Sequence, residues 1–573
     1  MGAGTDAPSA ASTDPGAVVY AGFWGFPGDD RGLGVAVGRD GAAYVTGHTF
    51  AESETDIDAY IVKVRPDGTA LDYVEIVGGD GYDTSFDVAV DAAGNAYFVG
   101  TTTSRDDTRP AKGGPDLTLN GSADAFVGKL NPAGDDLVFC GVLGGLYYDM
   151  AEGVAVDGAG HAYVTGMALS SASSFPVKVG PDLTSNGKAD AFITKLEAEQ
   201  TAPKVLDNIV YSGFIGGDEH DAYVYERPDG SYVSSGQMAV DAEGAAYISG
   251  QTKSTEATFP DGDGFGDIPG ADQTSGGTWD AWIAKVRPDG AKLAYATFWG
   301  GAGEDLAFGM DVDAAGAAYF TGWVDSKEDT LHPVVGPDLT FNGDSDAMAG
   351  KLTPDGRAFA YLGYIGGAAG DAGMGARVDA HGRLAVIGYT ESSEATLPTV
   401  LGPDVTYNGH EAGKGDALVA VVAADPSAAD PRDNFVLAGY VGGTEWDEAF
   451  WPAFGPDGSL YVVGDTNSGP DTFPDGGGLA GRTSPHGAAA GGSDAFVVKI
   501  AVPAAADAPT PGPGSETPRP AASATPRPSS PATLAAPTAR PTEAMPTVTA
   551  GAGVSALGEQ VGGVARFGWR NGR

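Results

Sequence analysis

The chain of 573 residues holds a single cysteine, Cys140, which excludes an internal disulfide framework and any zinc site built on cysteine. It stands in the apolar run 137–143 and reads as a buried, inert thiol. Basic residues are scarce: 32 Lys+Arg stand against 77 Asp+Glu, a formal net charge of −45. A field of that sign excludes nucleic acid as a partner held by overall charge, because phosphate binding needs a basic surface. No window reaches the roughly 18 apolar residues of a membrane span, so membrane insertion is not expected. The first residues show neither a basic nor an apolar leader region, so no signal peptide is visible, and Asp6 stands where myristoylation needs Ser or Thr. Enzyme signatures are missing too: there is no Gly-x-Ser-x-Gly elbow, His-Glu-x-x-His pair, phosphate loop or dinucleotide fingerprint.

What the chain has in excess is glycine and proline, 90 and 38 residues, with a hydrophobic share of 42% that is enough to bury a core. The glycines punctuate a repeat. An Asp-Ala-apolar run begins at Asp58, Asp124, Asp190, Asp280, Asp346, Asp416 and Asp494, at offsets of 66, 66, 90, 66, 70 and 78 residues. All copies but the sixth carry a lysine five positions on; the sixth has Val421. Three further segments precede each run in fixed order, as at 71–77, 86–91 and 96–100 in the second copy. These runs are short, rich in β-branched and aromatic residues, and bounded by Gly, Pro, Asn and Asp, which reads as four strands per repeat. No segment sustains a 3.6-residue period, so helices are few.

Strand parity decides the packing. In 58–64, Tyr60, Val62 and Val64 share one face while Ala59 and Ile61 share the other, so both faces of the sheet are covered. Small sheets stacked between identical neighbours look like this. The expected fold is all-β: a seven-bladed β-propeller of four-stranded antiparallel blades over residues 18–500, with repeats at 18–64, 71–130, 137–196, 209–286, 293–352, 359–422 and 435–500. An open solenoid is the alternative, since ring closure is invisible in sequence. Residues 1–17 read as a disordered leader. Residues 501–550 read as a Pro/Ala/Thr-rich linker, with 12 prolines between Pro503 and Pro546, and 551–573 as a short disordered end. The tail carries four acids and six arginines, so the negative charge belongs to the repeats.

The unit resembles the bacterial β-propeller repeat known as the SBBP family: Tyr-x-x-x-Leu-Gly-Gly, then Val-Asp-x-x-Gly-x-Ala-Tyr-Val-Thr-Gly, then Asp-Ala-Phe-Val-x-Lys. Those elements stand here at 211–217, 156–166 and 190–196. The hairpin 240–250 is also similar to NHL repeats. Departures are Phe26 in place of a double glycine, a sixth copy lacking the hairpin tyrosine at 384–388, and an enlarged fourth copy. The resemblance implies a propeller of exported or surface bacterial proteins, with no catalytic residues.

Repeated polar residues become rings in such a fold. Asp30, Asp83, Asp149, Asp221, Asp305, Asp371 and Asp447 each lie four residues past the double-glycine position. They form either a negative mouth that attracts cations or a set of turn caps, and their presence in every copy favours the caps. The Asp58-type acids and their lysines lie on opposite strand faces, which leaves pairing across blades. A Gly-Pro-Asp-Leu/Val-Thr-x-Asn-Gly turn in four copies supplies Asp116 and Asn120, Asp182 and Asn186, Asp338 and Asn342, Asp404 and Asn408, oxygens that suit Ca²⁺ or simply close the turn. In copy four Asp261, Asp263, Asp267 and Asp272 partly follow a calcium-loop spacing, with Phe265 at a ligand position. The one dense polar group is Glu219-His220-Asp221 with Tyr223 and Arg227.

The functional expectation is a non-catalytic, extracellular or surface-displayed scaffold that binds a protein or glycan ligand as a monomer, with Ca²⁺ as the one cofactor the acids suggest. The alternative is a polysaccharide hydrolase or lyase using the copy-four loops. A third reading assigns the acidity to a salt-rich habitat.

Overall fold

A computed structural model describes residues 14–25, 28–50, 57–226, 232–234, 236–409, 415–425, 428, 431–479, 484 and 492–504. The tail from 505, the leader 1–13, Phe26, Arg227, His410 and His486 lie outside the described residues.

Seven four-stranded antiparallel sheets follow one another as blades. Blade 1 runs β2 (Asp30–Val37), β3 (Ala43–Phe50), β4 (Ile57–Val64) and β5 (Leu71–Val77) from its innermost strand outward. Blade 2 is β6 (Asp83–Val90), β7 (Ala96–Thr102), β8 (Asp124–Leu130) and β9 (Leu137–Leu143); blade 3 is β10 (Asp149–Val156), β11 (Ala162–Ala168), β12 (Asp190–Leu196) and β13 (Ile209–Ile215). A separate hairpin, β14 (Tyr223–Glu226) with β15 (Tyr232–Ser234), precedes blade 4, which is β16 (Gln237–Val240), β17 (Ala246–Thr252), β18 (Asp280–Val286) and β19 (Leu293–Trp299). Blade 5 is β20 (Asp305–Val312), β21 (Ala318–Val324), β22 (Asp346–Leu352) and β23 (Phe359–Ile365); blade 6 is β24 (Asp371–Val378), β25 (Leu384–Thr390), β26 (Asp416–Val422) and β27 (Phe435–Val441).

Blade 7 settles the closure. Its inner three strands, β28 (Asp447–Phe454), β29 (Leu460–Thr466) and β30 (Asp494–Ile500), come from the end of the propeller, and its outermost strand is β1 (Val18–Trp24) from the beginning. The pairing β1 with β30 runs from Val18 against Ile500 to Trp24 against Ala495. It continues through Gly16 and Ala17, which exchange backbone bonds with Ala501, so the pairing reaches into residues 1–17, the segment expected to lie outside the propeller. Each blade therefore takes three strands from one sequence repeat and its outer strand from the next. The sequence repeat and the structural blade are offset by one strand, the arrangement that lets the last blade be closed by the first segment.

Innermost strands neighbour one another around the ring, β2 beside β6 and β28, and so on. In six blades this strand carries a bulge, at Leu33, Phe86, Glu152, Phe308, Met374 and Phe450. In blade 4 the bulged half is replaced by the insertion bearing β14 and β15, which leaves β16 with four residues. Helix is confined to one turn at Glu328–Leu331 and two 3₁₀ turns, so no helix among the described residues is long and apolar enough to cross a membrane.

The expected two-sided covering is present. In β4, Ala59, Tyr60, Ile61, Val62 and Val64 are all buried, and the core is a chain of inter-blade clusters rather than one central mass. Closure has its own anchor: Phe23 on β1 is fully buried, with its ring 5.1 Å from that of Phe473 in blade 7. Phe23→Ala is expected to cost about 3–5 kcal/mol in chemical denaturation. A change below about 1 kcal/mol would show that the N-terminal strand does not close the ring.

Candidate functional site

The aspartate that opens each inner strand is buried, and it is a joint rather than a mouth. Asp149 Oδ2 accepts the Gly145 N–H (2.7 Å) and the Ser170 hydroxyl (2.6 Å). The same two bonds recur at Asp83 with Gly79 and Ser104, at Asp221 with Gly217 and Ser254, and at Asp305 with Gly301 and Ser326. They recur again at Asp371 with Gly367 and Ser392, and at Asp447 with Gly443 and Ser468. Thr252, Thr390 and Thr466 add a hydroxyl to Asp221, Asp371 and Asp447. Asp30, at the same place in blade 1, is fully buried too. The serine partner recurs two residues past the second strand of six blades, a periodic signal that the strand pattern concealed.

The strand acids Asp124, Asp190, Asp280, Asp346 and Asp416 form a second buried ring. Each accepts the backbone N–H of the residue that ends the preceding turn: Asn120 (2.7 Å), Asn186 (2.8 Å), Gly276 (3.0 Å), Asn342 (2.9 Å) and Asn408 (2.8 Å). The lysines do not pair with these acids, nor across blades. Each meets the aspartate of its own blade's inner hairpin turn, as Lys195 with Asp157 (3.2 Å), Lys285 with Asp241 (3.1 Å) and Lys499 with Asp457 (2.8 Å). Each also lies over that hairpin's tyrosine, as Lys129 over Tyr97 at 4.6 Å. The tyrosine makes the cross-blade bond: Tyr97 donates to the Gly160 carbonyl of blade 3 (3.3 Å), and Tyr461 of blade 7 to that of Gly41 in blade 1 (3.0 Å). Copy six loses the lysine and tyrosine together because Ala385 and Val421 are register partners there, and Arg383 takes over the turn aspartate, Asp379 (2.5 Å).

The Gly-Pro-Asp turns saturate themselves. Asp338 accepts the Thr340 N–H (3.0 Å) and hydroxyl (2.7 Å), and its other oxygen takes the Asn342 amide (2.8 Å). Asp116 with Asn120, Asp182 with Asn186 and Asp404 with Asn408 repeat the pattern. In each the asparagine presents its NH₂ to the aspartate, so the two side chains close the turn between them.

In copy four the calcium-loop spacing does not fold into a loop site. Phe265 is buried, 5.3 Å from the Phe298 ring, while Asp263 and Asp267 are exposed. Asp272 accepts the Thr274 N–H (2.9 Å) and hydroxyl (2.7 Å), which makes 270–276 a degenerate fifth Gly-Pro-Asp turn. Asp261 lies beside Asp263 and Asp182; burial first, then Asp263, raises its pKa to about 6. Among the described residues no three His, Cys, Asp or Glu side chains are grouped to hold a metal. The polar cluster at 219–227 is likewise divided: Asp221 is a joint, Glu219 pairs outward with Lys188 (2.5 Å), and the His220 pKa is lowered by burial and by Lys188 and Lys253. Cys140 is buried, and burial pushes its thiol up to about 12.

One layer does break the seven-fold pattern. Immediately after the joint acids stand Arg31, Thr84, Met150, Ala222, Leu306, Ala372 and Glu448. Six of them pair across the sheet with His48, Thr101, Met167, Trp323, Tyr389 and Asp465. Blades 7, 1 and 2 are polar in this layer, whereas blades 5 and 6 add to a cluster of Trp279, Leu306, Trp323, Ala372, Tyr389 and Trp446, with Tyr389 and Trp446 rings 5.7 Å apart. Glu448 and Asp465 are cross-strand partners, and Arg31 Nε lies 3.8 Å from Asp465. Burial, then the neighbouring Asp465, raises the Glu448 pKa to about 8 against the opposing pull of Arg31. The repeat motifs gave no reason to select these residues; the signal was their departure from the other copies.

No family model matches the chain, and no curated protein does. Solved structures to which the chain is similar include Sqt1 from Chaetomium thermophilum (9% identity, TM-score 0.35, covering 79% of this chain and 96% of that one). Others are a protein of unknown function from Dyadobacter fermentans (11%, TM-score 0.36, 85% and 100%) and the endosialidase of phage phi92 (9%, TM-score 0.36, 88% and 71%). At these scores none carries a functional argument.

Two classes of aspartate should separate on mutation. Asp371→Ala strands the Gly367 amide and two buried hydroxyls and is expected to cost about 3 kcal/mol or more; Asp338→Ala, at a surface turn, is expected to cost about 1 kcal/mol. Equal costs in urea melts would show that the joint has no special weight.

Proposed function

We propose that the protein is a non-catalytic ligand-binding propeller of the SBBP-like kind, displayed outside the bacterial cytoplasm. The observation that carries this reading is the division of labour among the repeats. The acids and lysines shared between copies serve turns and joints, and the copies diverge in the layer that holds Arg31, Glu448 and Asp465 beside the aromatic group of Trp323, Tyr389 and Trp446. A scaffold keeps what closes the ring constant and varies what meets a ligand. Against the hydrolytic alternative, Asp221 accepts the same two bonds as its counterparts in five other blades, which gives it a structural use. A protein or glycan is the expected class of ligand, through aromatic rings beside hydrogen-bonding charged groups.

A glycan array and a pull-down from surface extracts test this. Binding that falls at least about tenfold in Trp446→Ala, measured well below the lowered melting temperature expected for this buried ring, is the expected result. Glycan cleavage abolished by His220→Ala would overturn the non-catalytic reading.

A further inference from the structure

The two aspartate rings meet. A methyl group placed on Gly216 would lie 2.6 Å from Asp190 Oδ1 and 3.0 Å from Asp221 Oδ2; one on Gly442 would lie 2.7 Å from Asp416 Oδ1 and 2.8 Å from Asp447 Oδ2. Gly366 stands in the same way between Asp346 and Asp371, as Gly25 does between Asp494 and Asp30. In every case one acid sits on the third strand of a blade and the other at the start of the next blade, so each pair bridges a blade boundary. The joint acid is supplied with donors from backbone amide, serine and threonine. The strand acid uses Oδ2 on its turn amide, while Oδ1 of Asp124, Asp190, Asp346 and Asp416 is buried without a hydrogen-bond partner. All four residues are at most 1% exposed.

We propose that the boundary pairs Asp190–Asp221, Asp346–Asp371 and Asp416–Asp447 each hold one proton, carried on the free oxygen of the strand acid and donated to the carboxylate of the joint acid, so that neighbouring blades are joined by a carboxylic acid to carboxylate hydrogen bond. Two adjacent buried carboxylates cannot both remain charged without a counter-ion. The charged groups acting on Asp346 are Asp371 and Asp338, both negative; Glu391 acts on Asp371, and the phenols of Tyr364, Tyr389, Tyr407 and Tyr440 lie near the pair. Burial is the larger cause and the partner acid a further one, and together they push Asp190, Asp346 and Asp416 up to about 8 and Asp124 and Asp280 up to about 7. A bound cation is the rival occupant. It would find few oxygens here, and those of the joint acid already accept two or three donors.

The consequence is a propeller that is firmest in mildly acidic solution. A carboxyl whose folded pKa lies above its unfolded value near 4 contributes stability that is complete below that value and lost as pH rises toward about 8. The test is thermal melting of the full chain and of Asp346→Asn and Asp371→Asn at about pH 5 and about pH 8, each with and without millimolar Ca²⁺. The wild-type Tm is expected to fall by about 5 °C or more between the two pH values. Asp346→Asn supplies a permanent NH₂ donor and should melt higher than wild type at the upper pH with a smaller fall, whereas Asp371→Asn loses an acceptor and should melt lower at both. Destabilisation by Asp346→Asn at both pH values would overturn the proposal, as would a Ca²⁺-dependent rise in wild-type Tm that this variant abolishes. Should the variants not fold, carbonyl NMR titration of aspartate-labelled wild type decides: buried resonances titrating above about pH 6 support the shared proton, and uniform titration below about pH 4.5 overturns it.

Discussion

A ring of seven sheets is held by its boundaries. Within a blade the ladder of backbone bonds is ordinary, but between blades backbone pairing shrinks to single bridges, such as Ala123 with Tyr148 and Ser345 with Gly370, so apolar packing and a few placed polar contacts must help set the angle. The buried aspartate is the contact on which the others depend. It ties the inner strand of one blade to the double-glycine turn entering it and to the serine that follows the second strand, and it meets the acid on the third strand of the preceding blade. The tyrosine of the inner hairpin makes a second bond across the same boundary, and the hairpin lysine steadies that tyrosine from above. The first glycines Gly216, Gly366 and Gly442 fit this scheme because a Cβ there would crowd both carboxylates.

Much of the fold was legible because a repeated pattern averages over local ambiguity. Seven copies of short two-faced strands left few architectures, and strand parity at 58–64 excluded a sheet with one wet face. Closure was not legible, since nothing in Val18–Trp24 states that its partner is Asp494–Ile500. The lysine partners were misplaced for a related reason: the strand faces were read correctly, but the turn aspartate that folds back beneath the tyrosine is visible only in three dimensions. The joint loss of that tyrosine and lysine in copy six was present in the sequence as two separate departures, and register shows them to be one.

The candidate site was less legible, and the cause is physical. Sequence reading favours acids in recognisable spacings, and here those spacings belong to turns, as Asp272 with Thr274 and Asp338 with Thr340 show. Glu448 and Asp465 belong to no motif; they matter because six other copies place different residues in that layer. The charge of the chain also takes on a different meaning. Part of the acidity is in the interior, in paired carboxyls whose ionisation burial resists, and so does not contribute to an external field as surface acids do.

The claim that the repeated acids are inter-blade joints is tested most directly by hydrogen exchange at the second glycine of the double-glycine turns, Gly79, Gly145, Gly217, Gly301, Gly367 and Gly443. These amides lie in turns between strands, yet each donates to a buried aspartate. The account predicts that they exchange as slowly as the inner strands, in the same cooperative opening. Exchange at the rate of the surface turns, as at Asp67 to Thr69, would contradict it.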